Sequence, residues 1–184
     1  GWVARSLLQS RPDDRLPLQA ALAMLDDAVA ISGHPDIGLH AALRYSIDAH
    51  LLKYAAVSSP TVRESLETIA RYIMAFNDGL EIVVRVEGAR ARLEFRERVK
   101  MNRAALDFAV AAFYLRRMHW IVSSSGEPMR VEAWFRYPEP KDRHVHAEVF
   151  GAVHLRFDAP LYALVFPAER VDRPMDRSDP VLHK

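Results

Sequence analysis

The segment Arg143–His154, RHVHAEVFGAVH, gathers His144, His146, His154 and Glu148. Histidines two apart suit a metal when the backbone is a strand, because alternate strand residues point the same way. On a helix, residues two apart diverge by about 200°. A helical zinc pair needs i, i+4 spacing, as in H-E-x-x-H, and the chain has no such motif. Asp142 is a candidate N-cap, Val145, Val149 and Phe150 fall at helical spacing, and Gly151 stands where helices stop. A short helix is therefore predicted over Asp142–Phe150. His144 and His146 then read as exposed side chains on a polar helix and not as a metal pair.

The second candidate is an arginine-rich face. If the segments described below are strands, Arg85, Arg92, Arg96, Trp134, Arg136 and Arg156 point outward together, alongside Glu81, Glu94, Glu132 and His154. Guanidinium forks bind carboxylate or phosphate in bidentate fashion, and an indole offers a stacking surface. These six residues are the predicted ligand-binding set, for a small and anionic molecule. Arg92 and Arg96 also form R-x-x-x-R, a spacing seen in cyclic-dinucleotide binders, but the usual partner motif is absent. The competing reading is a solvated or dimer-contacting sheet face laced with cross-strand Arg–Glu pairs.

A third candidate lies near Tyr114, His119 and Trp120. His119 would be the ligand in a haem-type sensor or the base in an enzyme; packed core side chains are the plainer reading. Asp26–Asp27 form a carboxylate pair, but adjacent helix positions diverge, and a solvated face accounts for them. The chain has no G-x-S-x-G, G-x-x-x-x-G-K-[ST] or G-x-G-x-x-G motif. It has no cysteine, which removes disulfides, thiolate ligands and thiol nucleophiles. The expectation is a protein that is not an enzyme and carries no cofactor.

The elements that must position these groups change period along the chain. PLQAALAMLDDAVAISG sets Leu18, Leu22, Leu25 and Val29 on one helical stripe, with Pro17 at the start and Gly33 at the stop. Shorter pieces follow at Ile37–Tyr45 and Ala49–Ala56. Thr61 and Glu64 have capping-box spacing ahead of the stripe Val62, Leu66, Ile69 and Ile73, which Asn77–Gly79 ends. LEIVVRVEGARARLEFRE then alternates with period two and reads as a hairpin. Asn102 can cap the most hydrophobic helix, MNRAALDFAVAAFYLRRMHWIVSSSG, which is apolar all round from Phe108 to Leu115 and hence buried. Strands RVEAWFR, AVHLRF and LYALVF complete the series. The predicted class is α+β: N-terminal helices, then α-β-β-α-β-α-β-β, with a mainly antiparallel sheet of about five strands covered by the long buried helix.

Two further properties limit function. Lys and Arg number 25 against 24 Asp and Glu, a net charge of +1, so the chain lacks the strongly basic surface of a DNA-binding domain. No apolar run is long enough to span a bilayer and no signal-peptide core is present, so a cytoplasmic location is expected.

Two stretches carry a resemblance. HPDIGLHAAL with SSPTVRESLETIARY is similar to a G-D-P-x-x-G-L turn followed by T-L-x-E-A-L-x-x-L-x-R-Y. VEAWFRYPEP with AEVFGAVHLRFDAPLYALVFPAERVDRPM is similar to an F-x-H-x-x-P strand end, an F-G-x-P-V-x-F segment and an L-x-x-P close. Together, from His34 to Met175, they resemble the N-terminal regulatory, arabinose-binding-like domain of AraC-type transcriptional regulators. Arg136 is read as standing in the place of the usual strand-end histidine, and His34–Pro35–Asp36 replaces Gly-Asp-Pro. The resemblance implies an effector-sensing homodimer, one domain over residues 1–184. It further implies DNA contact only through a C-terminal helix-turn-helix domain, expected beyond Lys184. A dimerisation module without ligand is the alternative.

Overall fold

The computed structural model describes residues 17–45, 58–118 and 130–175. The first helix, α1 (Leu18–Ser32), begins after Pro17 and ends where Gly33 turns left-handed at φ 70° and donates its N–H to Val29. Helix α2 (Ile37–Arg44) follows at once and buries Gly38, Leu39 and Ala42. The predicted piece at Ala49–Ala56 lies outside the described residues. Helix α3 (Val62–Phe76) is capped as its sequence requires: Thr61 Oγ1 accepts from the Glu64 N–H at 3.2 Å, and the Thr61 hydroxyl donates to the Glu64 carboxylate. Two further free amides of this helix, on Val62 and Arg63, donate to the carbonyls of Arg173 and Val171, so the segment 171–173 is laced onto the start of α3.

Strands β1 (Leu80–Glu87) and β2 (Arg90–Glu97) form the hairpin, pairing from Leu80 opposite Glu97 to Glu87 opposite Arg90. Gly88 at φ 58° supplies the positive φ that a two-residue II′ turn places first. Helix α4 (Arg103–Phe113) carries the buried residues Ala104–Asp107, Val110, Ala111 and Phe113. It runs on as a π-helical segment, Tyr114–Met118, instead of one regular long helix. Strand β3 (Glu132–Trp134), helix α5 (His144–Phe150), strands β4 (His154–Arg156) and β5 (Tyr162–Pro167) and a 3-10 turn at Ala168–Arg170 follow.

The sheet order is β1-β2-β5-β3-β4. All pairings are antiparallel except β3 with β4, which α5 connects as a parallel crossover. The predicted α+β class and five-stranded, mostly antiparallel sheet are therefore found. On the inner face Ile82, Leu93, Phe95, Ala133, Phe135, Leu164 and Phe166 join one core with α4 and its neighbours. Gly38 makes the α2–α4 crossing possible, since a Cβ there would lie 1.9 Å from the Ala104 carbonyl oxygen. Among the described residues no helix is long and apolar enough to cross a membrane.

Candidate functional site

The outer sheet face brings the predicted arginines together, but most already hold acids. Glu94 is only 2 % exposed. Its carboxylate accepts from Arg96 at 2.6 and 3.0 Å and lies 3.2 Å from Arg92 Nε, while Arg92 Nη2 reaches Glu87 at 2.9 Å. Arg136 donates to Glu97 at 2.7 Å, and Arg90 lies 3.6 Å from Glu132. Trp134 is buried beside Ala159, Ala163 and Val165; its indole N–H donates to Glu132, and Arg156 covers its ring at 4.5 Å. Arg85 is exposed, directly opposite Arg92. Arg92, Arg96 and Arg136 are thus held by acids, Arg92 and Arg96 by Glu94 of their own strand, while Arg85 and Arg156 have no ion-pair partner among the described residues.

The histidine segment folds as predicted in kind, with one correction. Helix α5 starts at His144, whose N–H donates to Asp142 Oδ1 at 2.8 Å, and ends at Gly151. His144 is exposed, but His146 is 1 % exposed and not the surface residue expected. Helical geometry explains this. His146 lies three and four residues before Val149 and Phe150, so it shares their buried stripe.

Around His146 lies a polar cluster that sequence reasoning missed. Its side chains come from the start of α2 (Asp36), the first two turns of α4 (Arg103, Asp107), the chain after β3 (Tyr137) and α5 (His146). Asn102 fixes the start of α4: its Oδ1 accepts from the Ala105 N–H, and its amide donates to the Leu22 carbonyl and to Asp26. Asp26 is therefore engaged, not simply solvated. Arg103 Nε donates to Asp107 Oδ2 at 3.2 Å, and its guanidinium lies 3.5 Å from the centre of the Tyr137 ring. The Tyr137 hydroxyl is 2.7 Å from His146 Nε2. Phe135 and Phe157 flank the imidazole edge-on.

This environment shifts protonation. Burial pushes the Asp107 carboxyl up to about 7 against the opposing charge of Arg103. Burial, reinforced by Arg103, lowers His146 to about 4, so it is neutral at physiological pH. Tyr137 and Tyr162 are raised by burial and then by the Asp107 charge. Four buried polar atoms here have no hydrogen-bond partner among the described residues: Asp36 Oδ1, Arg103 Nη2, Asp107 Oδ1 and His146 Nδ1. The cluster is graded in depth. The Arg103 and Asp36 side chains are partly exposed, whereas Asp107 is fully buried behind them.

The chain matches the family described as the arabinose-binding domain of AraC transcription regulators, N-terminal, over residues 3–175. It belongs to this family. The fold is also that of a transcriptional regulator, CdpR from Pseudomonas aeruginosa, with a TM-score of 0.70 at 19% identity. The match covers 98% of this chain and 57% of that one, so the chain spans little more than half of its structural neighbour. No curated protein matches it.

Placing the AraC-type motif on the structure corrects one assignment. Counted from Phe135 to Pro140, F-x-H-x-x-P puts its third position at Tyr137, not Arg136. The residue in the histidine's place therefore points into the buried cluster, while Arg136 lies outside on Glu97. Tyr114, of the third candidate, packs on Phe150 with its hydroxyl 3.4 Å from the Phe150 carbonyl. His119 and Trp120 lie outside the described residues.

Proposed function

We propose that this chain is the effector-sensing and dimerisation part of an AraC-type regulator, with its effector site at the Asp36–Arg103–Asp107–Tyr137–His146 cluster. The observation that carries the reading is the convergence of four unpartnered buried polar atoms on one place. Each costs about 1–3 kcal/mol when left unpaired, so an occupant that satisfies them gains that energy on binding. Two of the atoms are carboxylate acceptors and one is a guanidinium donor. The complementary solute is small and carries an anionic or carbonyl oxygen for Arg103 and an N–H donor for Asp36 or Asp107. The partly exposed Arg103 and Asp36 give it a way in from the surface.

In the whole regulator, effector binding changes how two sensing domains are held and so repositions the DNA-binding domains. That part rests on the family. A regulator whose operator affinity ignored every effector bound by this domain would count against it.

The test is a thermal-shift screen with amino acids, organic acids, amines, sugars and nucleotides. A hit at the cluster is lost in Arg103→Met and Asp107→Asn. A second reading places the effector on the outer face, at Arg85, Arg92, Arg96, Trp134, Arg136 and Arg156. The stacking of Arg156 on Trp134 favours it. There the hit is lost in Arg156→Ala and survives Asp107→Asn. A screen in which no compound shifts the melting temperature favours dimerisation without a ligand.

A further inference from the structure

Strand β1 lies at one end of the sheet order and has β2 as its single strand neighbour among the described residues. It is eight residues long, and its register with β2 runs without a bulge. Its sequence, LEIVVRVE, contains neither proline nor lysine. Natural edge strands are normally protected from pairing by such features.

The tight turn fixes which backbone groups face outward. In a two-residue hairpin the closing pair, here Glu87 and Arg90, is hydrogen-bonded. The odd-numbered residues of β1 therefore direct their amides and carbonyls to β2. Those of Leu80, Ile82, Val84 and Val86 point away from β2, to the side where no strand lies among the described residues. On the outer face the same strand shows Glu81, Val83 and Arg85 in alternation. Neither Glu81 nor Arg85 has an ion-pair partner among the described residues, unlike Arg92 and Arg96 on the same face. Arg85 is moreover set opposite Arg92, a like-charge pair. At the far end Val86 is 40% exposed, one of few large apolar side chains so open.

We infer that β1 pairs antiparallel with β1 of a second copy of this chain, about a two-fold axis at Val83, joining two five-stranded sheets into one. This rests on the reading that the domain self-associates, and it names the surface. The choice of partner follows from charge register. An isologous contact repeats every pairing twice. With the axis at Val83, Glu81 of each copy faces Arg85 of the other, Ile82 faces Val84, and Leu80 faces the exposed Val86. Moving the axis to Val84 sets Glu81 against Glu87. Moving it to Ile82 sets Glu81 against Val83 and Arg85 against Gly79. Of these three registers, only the Val83 axis satisfies both free charges, and it does so between identical strands.

The test uses analytical ultracentrifugation of the 184-residue chain. Glu81→Arg alone and Arg85→Glu alone each turn two attractive pairs into two repulsive ones. Each single reversal loosens the dimer by roughly tenfold or more, and the double reversal restores it. The restored double variant also shows that the single changes do not act by unfolding the protein. Because the chain has no cysteine, Val83→Cys supplies an independent reading. Facing residues of a non-hydrogen-bonded pair have Cα atoms about 4.5 Å apart, within reach of a disulfide. The variant therefore oxidises to a covalent dimer, whereas Ile31→Cys, on a surface far from any strand in sequence, does not. A wild-type dimer that neither single reversal weakens overturns the assignment to β1 while leaving self-association standing. A wild-type chain that stays monomeric at high concentration overturns self-association itself.

Discussion

Tyr137 and His146 share a 2.7 Å hydrogen bond in the buried cluster, and the pair joins two parts of the chain that have separate tasks. Tyr137 leaves the end of β3 and lies under the Arg103 guanidinium, while His146 belongs to the short helix that returns the chain to β4. One bond thus connects the sheet, the start of α4 through Arg103, and α5. A solute bound between Arg103 and Asp107 would alter all three at once, which is the property a sensing domain needs.

Replacing Tyr137 by Phe tests that bond. The ring packing against Phe135 and Phe157 is retained, but His146 loses its Nε2 partner and Asp107 loses its hydrogen bond with the same hydroxyl. The expected loss is about 1–3 kcal/mol in urea unfolding. Removing both partners costs less than stranding one, so Tyr137→Phe with His146→Leu is expected to be less destabilised than the sum of the singles.

The pH dependence has two opposing parts. His146 is depressed from 6.5 to about 4, so its contribution is present above 6.5 and is lost as pH falls towards 4. Asp107 is raised from 3.8 to about 7, so its contribution is present below 3.8 and is lost as pH rises towards 7. The windows overlap and the slopes have opposite sign. Between pH 4 and 7 the two largely offset each other. Relative to wild type, Asp107→Asn is expected to lose stability as pH falls through this range. His146→Gln is expected to lose it as pH rises. Urea unfolding at both ends and the middle of the range checks both signs.

The elements were legible because their signals are local. Thr61 with Glu64 announces a capped helix, Gly33 a stop, and the alternation across Glu87–Arg90 a hairpin; each is decided by neighbours within a few residues. The cluster was not legible, because its members come from residues 36, 103, 107, 137 and 146, and only tertiary packing brings them together. One signal was available for His146: its spacing to Val149 and Phe150 places it on the stripe assigned to the core. Arg103 and Asp107 stand one helical turn apart in sequence, but the burial of their pair depends on α2 crossing over it. The arginine face was legible as a face; which acids would neutralise it depends on the strand order β1-β2-β5-β3-β4, and the sequence does not state that order.

Gly38 is the point where that crossing is most exacting. A Cβ there meets backbone of α4, not a side chain that could swing away. Gly38→Ala must therefore push α2 from α4, and the expected cost is about 3 kcal/mol in thermal or urea unfolding. Since Asp36 and Arg103 stand at the starts of these two helices, a variant that still folds is expected to weaken any ligand bound at the cluster. Gly33→Ala has open space around its Cβ and a positive φ, so a cost of about 1 kcal/mol from backbone strain is expected, with ligand binding unchanged.

Glu94 decides whether the outer face can take an anion. Its carboxylate sits where an anionic ligand of Arg92 and Arg96 would have to sit, and it is itself nearly inaccessible. An external carboxylate or phosphate would therefore compete with a tethered one that loses little entropy by staying in place. Glu94→Gln removes the charge and keeps the shape. It frees the Arg96 guanidinium, leaves Arg92 on Glu87, and both remain partly wet, so the stability loss should stay at about 1–3 kcal/mol and not reach that of a fully buried broken pair. If this face is built to receive anions, phosphate titrated into the Glu94→Gln variant should bind roughly tenfold more tightly, or better, than to wild type, and salt should reverse it. Equal and negligible phosphate binding by both proteins would mean that the arginines serve the sheet and its contacts alone, leaving the Arg103–Asp107 cluster as the place to look for an effector.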